Sequence, residues 1–303
     1  MIDGISGEKI TFETLYNSIC AFSAALNNLG FRKGQVLAIF SPNSIEYPIC
    51  MFGASRAGLS VTTANPGYIS SEFAYQLKDS EASVIFCHPS VLKETISAVK
   101  ESQISTQQIY TLGKEKVDGF RNIYDLIEMG KSFIKSFNPP SYTESDIQNN
   151  PAYLCYSSGT TGRSKGVVTT HYNMVSNILQ YGPFEEKTND NVVHIAVLPF
   201  YHIYGLNLFL HVALYRSETL VVMPKFDLVQ FLELIQRYRV THANIVPPIA
   251  IGLAKHPIVS KYDISSLKHV LSGAAPLGED VSLEFTERLN IPIKQAYGMY
   301  VLP

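Results

Sequence analysis

Along the first thirty positions Phe12, Leu15, Tyr16, Ile19, Phe22, Leu26 and Leu29 recur every three or four residues, and Gly30 follows the last of them. That period predicts an amphipathic helix closed by a glycine that can take the left-handed conformation. Val36 to Phe40 is a short unbroken apolar run, as a strand buried on both faces must be, and Ser41-Pro42-Asn43-Ser44 interrupts it. A second helix is expected to about Gly58 and a strand over Val61-Thr62-Thr63. A helix carrying Phe73 and Leu77, capped by Ser70 or Ser71, then leads to a strand over Val84-Ile85-Phe86-Cys87. Beyond residue 150 the alternation resumes. Strands are expected at Ala152–Tyr156 and Val167-Val168, a helix at His171–Gln180, and strands at Val192–Val197 and Thr219–Met223. Asp227 opens a helix with Leu228, Phe231, Leu232 and Ile235 inward, and His242–Ile245 and His269–Leu271 are two more strands. Such repetition predicts an α/β fold of mainly parallel sheets with helices on their faces. Phe137 to Pro151, with Pro139-Pro140, Asn149-Asn150 and few apolar residues, is the expected linker between a first α/β subdomain over 1–150 and a second over 151–303.

Composition narrows the class. At 303 residues, 46% hydrophobic, 17% charged and a net charge of -2, the chain has an ordinary globular make-up. Its lysines and arginines are neither in excess nor in runs, which speaks against nucleic acid as a partner. Val192 to Tyr215 carries no Asp, Glu, Lys or Arg, yet it holds Pro199, Asn207 and three histidines. It reads as a buried strand, a loop and the start of a helix, not a membrane span. Cys20, Cys50, Cys87 and Cys155 stand far apart in apolar surroundings and are expected to be reduced core thiols. A peroxisomal or cytoplasmic setting follows, with no targeting signal in the chain.

Small, hydroxylated and cationic residues crowd together most densely over Tyr156-Ser157-Ser158-Gly159-Thr160-Thr161-Gly162-Arg163-Ser164-Lys165-Gly166. The glycines let backbone N–H groups approach an anion, the hydroxyls can donate to phosphate oxygens or hold a hydrated Mg²⁺, and Lys165 supplies a point charge. Only two residues separate Gly159 from Gly162, and Gly166 follows Lys165, so this phosphate cradle is not a Walker loop. No Gly-x-Ser-x-Gly elbow of a serine hydrolase occurs either.

This run resembles the signature loop of the adenylate-forming superfamily, in particular its acyl-CoA synthetase and 4-coumarate:CoA ligase-like branch. Further segments resemble that family in its order. Asn65-Pro66-Gly67-Tyr68 matches an upstream turn and Leu198-Pro199-Phe200-Tyr201-His202-Ile203-Tyr204-Gly205 the histidine segment. Ser272-Gly273-Ala274-Ala275-Pro276-Leu277-Gly278 matches the nucleotide loop, and Gln295-Ala296-Tyr297-Gly298-Met299 the start of the adenine motif. The resemblance implies the N-terminal domain of such an enzyme, made of two βαβ-type subdomains. Its substrates would be a carboxylic acid, ATP (with AMP retained in the intermediate) and CoA, with Mg²⁺ as the metal. It implies that Ser157, Ser158, Gly159, Thr160, Thr161, Gly162, Lys165 and Gly166 hold the phosphates, with Thr160 or Thr161 on the metal. Gly273, Ala274, Ala275, Gln295, Ala296, Tyr297 and Gly298 would form the adenine slot. His202, with Lys165 one of the two catalytic candidates, would line the carboxylate tunnel, Tyr204 and Val246-Pro247-Pro248-Ile249-Ala250 the acyl pocket, and Lys225 the CoA phosphates. His171, His194, His211 and His242 read as structural histidines.

The family's adenine motif runs Gln-Gly-Tyr-Gly-Met-Thr-Glu. Here Tyr300 replaces the threonine that would touch the AMP phosphate, and Val301 the glutamate that would hold Mg²⁺. The ribose-binding aspartate, the hinge and the lid domain with its catalytic lysine have no counterpart before Pro303. The expectation is therefore an incomplete, weakly active or inactive ligase chain. A nucleotide- or acid-binding or regulatory fragment without catalysis is the alternative.

Overall fold

The computed structural model describes residues 1–102, 104, 108–157, 163–181 and 191–298. In chain order its strands are β1 (Ile2–Asp3), β2 (Val36–Phe40), β3 (Ser60–Ala64), β4 (Ala82–Cys87), β5 (Ile109–Thr111), β6 (Pro151–Ser157), β7 (Lys165–Thr170), β8 (Val193–Ala196), β9 (Thr219–Val222), β10 (His242–Ile245), β11 (His269–Ser272) and β12 (Ile293–Gln295). The helices are α1 (Phe12–Asn28), α2 (Tyr47–Arg56), α3 (Ser70–Asp79), α4 (Leu92–Ser102), α5 (Ile123–Lys131), α6 (Glu144–Asn149), α7 (His171–Tyr181), α8 (Ile203–Gly205), α9 (Leu228–Tyr238), α10 (Pro247–Lys255) and α11 (Glu279–Leu289). The strands form two six-stranded sheets, ordered β5-β4-β2-β3-β6-β7 and β1-β9-β8-β10-β11-β12. Every pair is parallel except β6 with β7. Fold class and the parallel rhythm are as the sequence implied.

The chain divides into two compact units. One comprises Ile10–Pro183 and Phe200–Ile203 and holds the first sheet; the other comprises Met1–Lys9, Phe184–Pro199 and Tyr204–Pro303 and holds the second. This differs from a division at residue 150. β6 and β7 lie beyond that point, yet β6 joins β3 through Val61↔Tyr153, Thr62↔Leu154 and Thr63↔Cys155 and so extends the first sheet. β1 in turn pairs with β9, which places the first residues of the chain in the second unit. A linker-like composition marks a surface segment; which sheet the next strand joins is a question of pairing, and no local signal carries it.

Alternation along β4 sorts the first unit's two faces. Ile85 and Cys87 pack with Phe73 and Leu77 of α3 and with Ala98 and Val99 of α4. Phe86 faces the other way, edge-on to Phe22 of α1 at 5.1 Å. α1 lies between α2 and α5, and its second half is buried continuously from Cys20 to Leu26 while Phe12 and Tyr16 are exposed. In the first half of the stripe only Leu15 is buried, while at the second half small residues let two helices approach. Gly130 of α5 is one of them, since a Cβ there would overlap the carbonyl oxygen of Ala21. In the second unit Ile195, Val221, Ala243 and Val270 of the sheet meet Phe231 and Ile235 of α9 and Phe285 of α11. The charge-free window resolves into β8, a loop, α8 and a π-helix over Leu206–Ala213. Among the described residues no helix is long and apolar enough to cross a membrane.

Two caps illustrate local control. Asp227 accepts from the Gln230 N–H at 2.9 Å and starts α9 as expected. Neither Ser70 nor Ser71 caps α3; Ile69 occupies the cap position and its N–H donates to Glu72 Oε2 at 3.0 Å. The four cysteines are free and buried, and burial pushes the Cys87 and Cys155 thiols up to about 11.

Gly130→Ala is expected to lower unfolding free energy by about 2 kcal/mol, because overpacking against a backbone carbonyl outweighs the ~1 kcal/mol that alanine gains in a helix. Chemical denaturation of the variant beside wild type measures the difference.

Candidate functional site

In a parallel sheet every strand ends at the same edge, so the loops that follow the strands are gathered together there. At that edge of the first sheet β6 leads into the Gly-, Ser- and Thr-rich run and β7 follows it. Register places Ser157 opposite Lys165 and Tyr156 opposite Gly166. Ser158, Gly159, Thr160, Thr161 and Gly162 lie outside the described residues. The two flanks are braced from one helix. Tyr156 donates its hydroxyl to Asp79 Oδ2 at 2.6 Å, and Tyr75, one turn earlier on α3, donates to the Ser164 carbonyl at 3.2 Å. The Arg163 guanidinium stands 5.2 Å from the centroid of the Tyr75 ring. Tyr156 lies across Gly166, where a Cβ would come within 3.0 Å of the ring, so glycine at this position permits the brace. Burial, and then the Asp79 carboxylate, push the Tyr156 phenol well above its ordinary value. Lys165 is exposed, and among the described residues no carboxylate pairs with it.

The same unit holds the segment with His202. The Phe200 N–H donates to Asn43 Oδ1 at 2.7 Å, and the Tyr201 carbonyl accepts from Thr63 Oγ1 at 2.7 Å. Asn43 follows β2 and Thr63 lies near the end of β3, so two neighbouring strand ends fix the backbone just before His202. Phe200 is packed edge-on to Tyr47 of α2, 5.6 Å between centroids. His202 is partly buried, and that burial lowers its pKa, so the ring is neutral at neutral pH. The Asn65-Pro66-Gly67-Tyr68 turn closes with Asn65 Oδ1 accepting from the Gly67 N–H at 2.9 Å and the Asn65 carbonyl from the Tyr68 N–H at 2.9 Å.

The second unit carries its own set of loops at the ends of β9, β11 and β12. The Ala296 N–H donates to the Ser272 carbonyl at 2.9 Å, and the Gln295 side-chain amide grips Leu277 on both sides, accepting from its N–H at 3.1 Å and donating to its carbonyl at 3.3 Å. These bonds tie the 273–277 turn to the last strand. Ala274 has φ 72, a left-handed conformation uncommon for alanine. Ala274, Ala275, Ala296, Gly298 and the 84%-exposed Tyr297 ring are exposed beside the clamp. Ser272 Oγ is buried without a hydrogen-bond partner among the described residues. Tyr204 lies against Gly273, where a Cβ would come 2.8 Å from the phenol oxygen, and burial pushes that phenol up to about 12. Lys225 is exposed in the loop after β9.

Within the first unit the structure therefore brings Ser157, Lys165 and Gly166 together, and within the second Tyr204, Gly273 and the Gln295 segment. Sequence reasoning missed the residues that hold them: Asn43, Thr63, Tyr75 and Asp79. Asn43 read as a strand breaker and Thr63 as a strand residue, because their partners are 157 and 138 positions away.

The profile of the AMP-binding enzyme family matches residues 1–299. The chain belongs to this family. It is 37% identical to 4-coumarate--CoA ligase 1 of Petroselinum crispum over 99% of its length, and 33% identical to the peroxisomal OPC-8:0-CoA ligase 1 of Arabidopsis thaliana over 98%. It spans 54% of each of these relatives. Among solved structures it matches a red-emitting luciferase from Phrixothrix hirtus with TM-score 0.89 at 27% identity, covering 98% of this chain and 72% of that one. ATP-bound MatB from Rhodopseudomonas palustris matches with TM-score 0.81 at 28% identity, covering 97% and 56%. The AMP-binding fold of this chain is thus that of the adenylate-forming enzymes' N-terminal domains.

Tyr156→Phe is expected to cost about 1 kcal/mol of stability, the usual net worth of one hydrogen bond. Asp79→Asn should cost a similar amount, and the double variant no more than the larger single loss. Denaturation of wild type, both single variants and the double variant, four chains in a double-mutant cycle, reads the coupling.

Proposed function

We propose that this chain carries the acid- and nucleotide-binding machinery of an AMP-forming acyl- or aryl-CoA ligase. The observation that supports the reading is the β6–β7 pairing, which puts Ser157 opposite Lys165, with the adjoining Tyr156 and Ser164 tied to α3. With Mg²⁺ and ATP bound, a carboxylate oxygen attacks the α-phosphorus and pyrophosphate leaves, and the CoA thiol later displaces AMP from the acyl-adenylate.

Such a reaction asks the protein for position and charge more than for covalent help. Lys165, free of a carboxylate among the described residues, offsets phosphate charge. Ser157, Ser158, Thr160 and Thr161 offer hydroxyls to the phosphates, with Thr160 or Thr161 on the metal, while Gly159, Gly162 and Gly166 let the backbone close in. His202, neutral through burial, presents a hydrogen bond to a carboxylate without holding it as a fixed ion pair. Tyr204 walls an acyl pocket. Gly273, Ala274, Ala275 and the Gln295–Gly298 segment receive the purine on small residues and backbone, Gln295 acting through its clamp on Leu277. Lys225 meets the CoA phosphates. Each set fits a part of a nucleotide: a cation and hydroxyls for phosphate in the first unit, and small residues with an exposed aromatic ring for a purine in the second.

A non-catalytic nucleotide or acid binder is the second reading, and Tyr300 and Val301 favour it. Without the family's metal-holding glutamate the transition state forfeits on the order of several kcal/mol of charge stabilisation.

Calorimetry with ATP and Mg²⁺ is expected to show saturable binding that Lys165→Ala weakens at least about tenfold, roughly the worth of one charge-assisted contact. Pyrophosphate release with a cinnamate or a fatty acid then separates the readings. Release above the acid-free background establishes the ligase half-reaction; binding without release leaves the binder; a folded chain that does not bind ATP overturns the ligase reading and the nucleotide-binding form of the second.

A further inference from the structure

At the edge of the second sheet opposite its ligand loops, three adjacent strands each place a histidine in the same row. His242, the first residue of β10, is the register partner of His194 on β8 and of His269, the first residue of β11. The His242 and His269 rings stack at 4.4 Å with 21° between planes, and those of His194 and His242 lie 5.0 Å apart. His194 is 4% exposed and is also edge-on to Phe209 of the π-helix at 6.2 Å.

Among the described residues one carboxylate meets this row. Glu218, in the turn before β9, meets His194 Nε2 at 2.8 Å and Arg216 Nε at 2.7 Å, so a full cation already neutralises it. His194 Nδ1 is buried with no partner among the described residues, and a second proton on that ring would sit there without an acceptor. His242 Nδ1 meets Thr241 Oγ1 at 2.8 Å, a hydroxyl already engaged with the Val193 backbone. Among the described residues the segments entering β10 and β11 also carry Lys261, Lys268, next to His269, and Arg239, which is spent on Asp263 at 2.7 Å. A proton added to His242 would join Arg216, and among the described residues the carboxylate that meets the row, Glu218, is already engaged.

We propose that the His194–His242–His269 ladder is an acid-sensitive clasp on β8, β10 and β11: neutral, the stacked rings hold the three strands in register, and protonation forces them apart. Burial, and then the neighbouring His194 and His269, lower the His242 pKa to about 3. The folded unit thus binds fewer protons than the unfolded chain, whose histidines titrate near 6.5. Stability from the clasp is complete above that value and is lost as pH falls from about 6.5 toward 3.

Hydrogen exchange read by mass spectrometry tests this on the wild-type chain and on His242→Phe, which keeps a stacking ring but does not titrate. After correction for intrinsic rates, opening of β8, β10 and β11 should rise on the order of tenfold between about pH 7.5 and about pH 5.5 in wild type. The β2–β4 segments of the first sheet serve as the internal reference and should change little. His242→Phe should abolish the excess. Should that variant fail to fold, His242→Asn, which removes the same titrating ring but keeps a planar side chain, is expected to abolish the excess as well. An acid response unchanged in whichever variant folds, or one shared equally by the first sheet, overturns the proposal.

Discussion

β3 carries three hydroxyls into a sheet where water does not reach, and each of them has to find an acceptor. Ser60, Thr62 and Thr63 are all buried, and an unpaired buried hydroxyl costs about 1–3 kcal/mol. Ser60 Oγ donates to the Pro151 carbonyl, Thr62 Oγ1 to the Leu154 carbonyl at 2.9 Å and Thr63 Oγ1 to the Tyr201 carbonyl at 2.7 Å. Gln76 of α3 adds its amide to the Thr62 hydroxyl and the Thr63 carbonyl at 2.8 and 3.1 Å. One polar strand thereby recruits β6, the segment before His202 and the helix that braces the phosphate loop. The placement of half of the proposed site reduces to satisfying a short row of side chains in the core.

That row also explains how much could be read from the sequence. Val36–Phe40 and Ala82–Cys87 announce themselves as strands because a strand covered on both faces is apolar throughout, and β3 is legible by β-branching. What β3 pairs with is not legible, since the acceptors for Ser60 and Thr62 lie 91 and 92 positions on. The same limit governs the ends of the sheets. β1 is two residues long and exists because Ile2 and Asp3 find Val221 and Val222; β5 and β12, three residues each, were invisible for the same reason. α3 shows a finer limit. Serines precede it, yet Glu72 satisfies the free N–H of Ile69, because a longer carboxylate reaches back from inside the helix.

The chemistry was more legible than the mechanics that hold it. Ser157, Lys165 and Gly166 stand out by composition and spacing, whereas Gly273 and Tyr297 stand out only through resemblance to the family's motifs. Tyr75, Tyr156 and Asp79 do not stand out, and a tyrosine three residues before a glycine-rich loop reads as core. Its role appears only once α3 is seen to present Tyr75 and Asp79 four residues apart on one face, where they meet Ser164 and Tyr156. Supporting residues of this kind are set by tertiary position, so a motif scan passes over them.

A division of labour between side chain and backbone follows from the Gln295 clamp. An amide that spends one lone pair and one N–H on the Leu277 backbone is fixed in orientation and keeps one of each. Gln295 thereby sets where the backbone groups of the 273–277 turn stand. Tyr204 against Gly273 follows the same logic, because a side chain at 273 would displace the ring and move the wall with it. Small residues at these positions are thus constraints on neighbours as much as spaces for a ligand, and substituting them would alter the frame before it altered any contact.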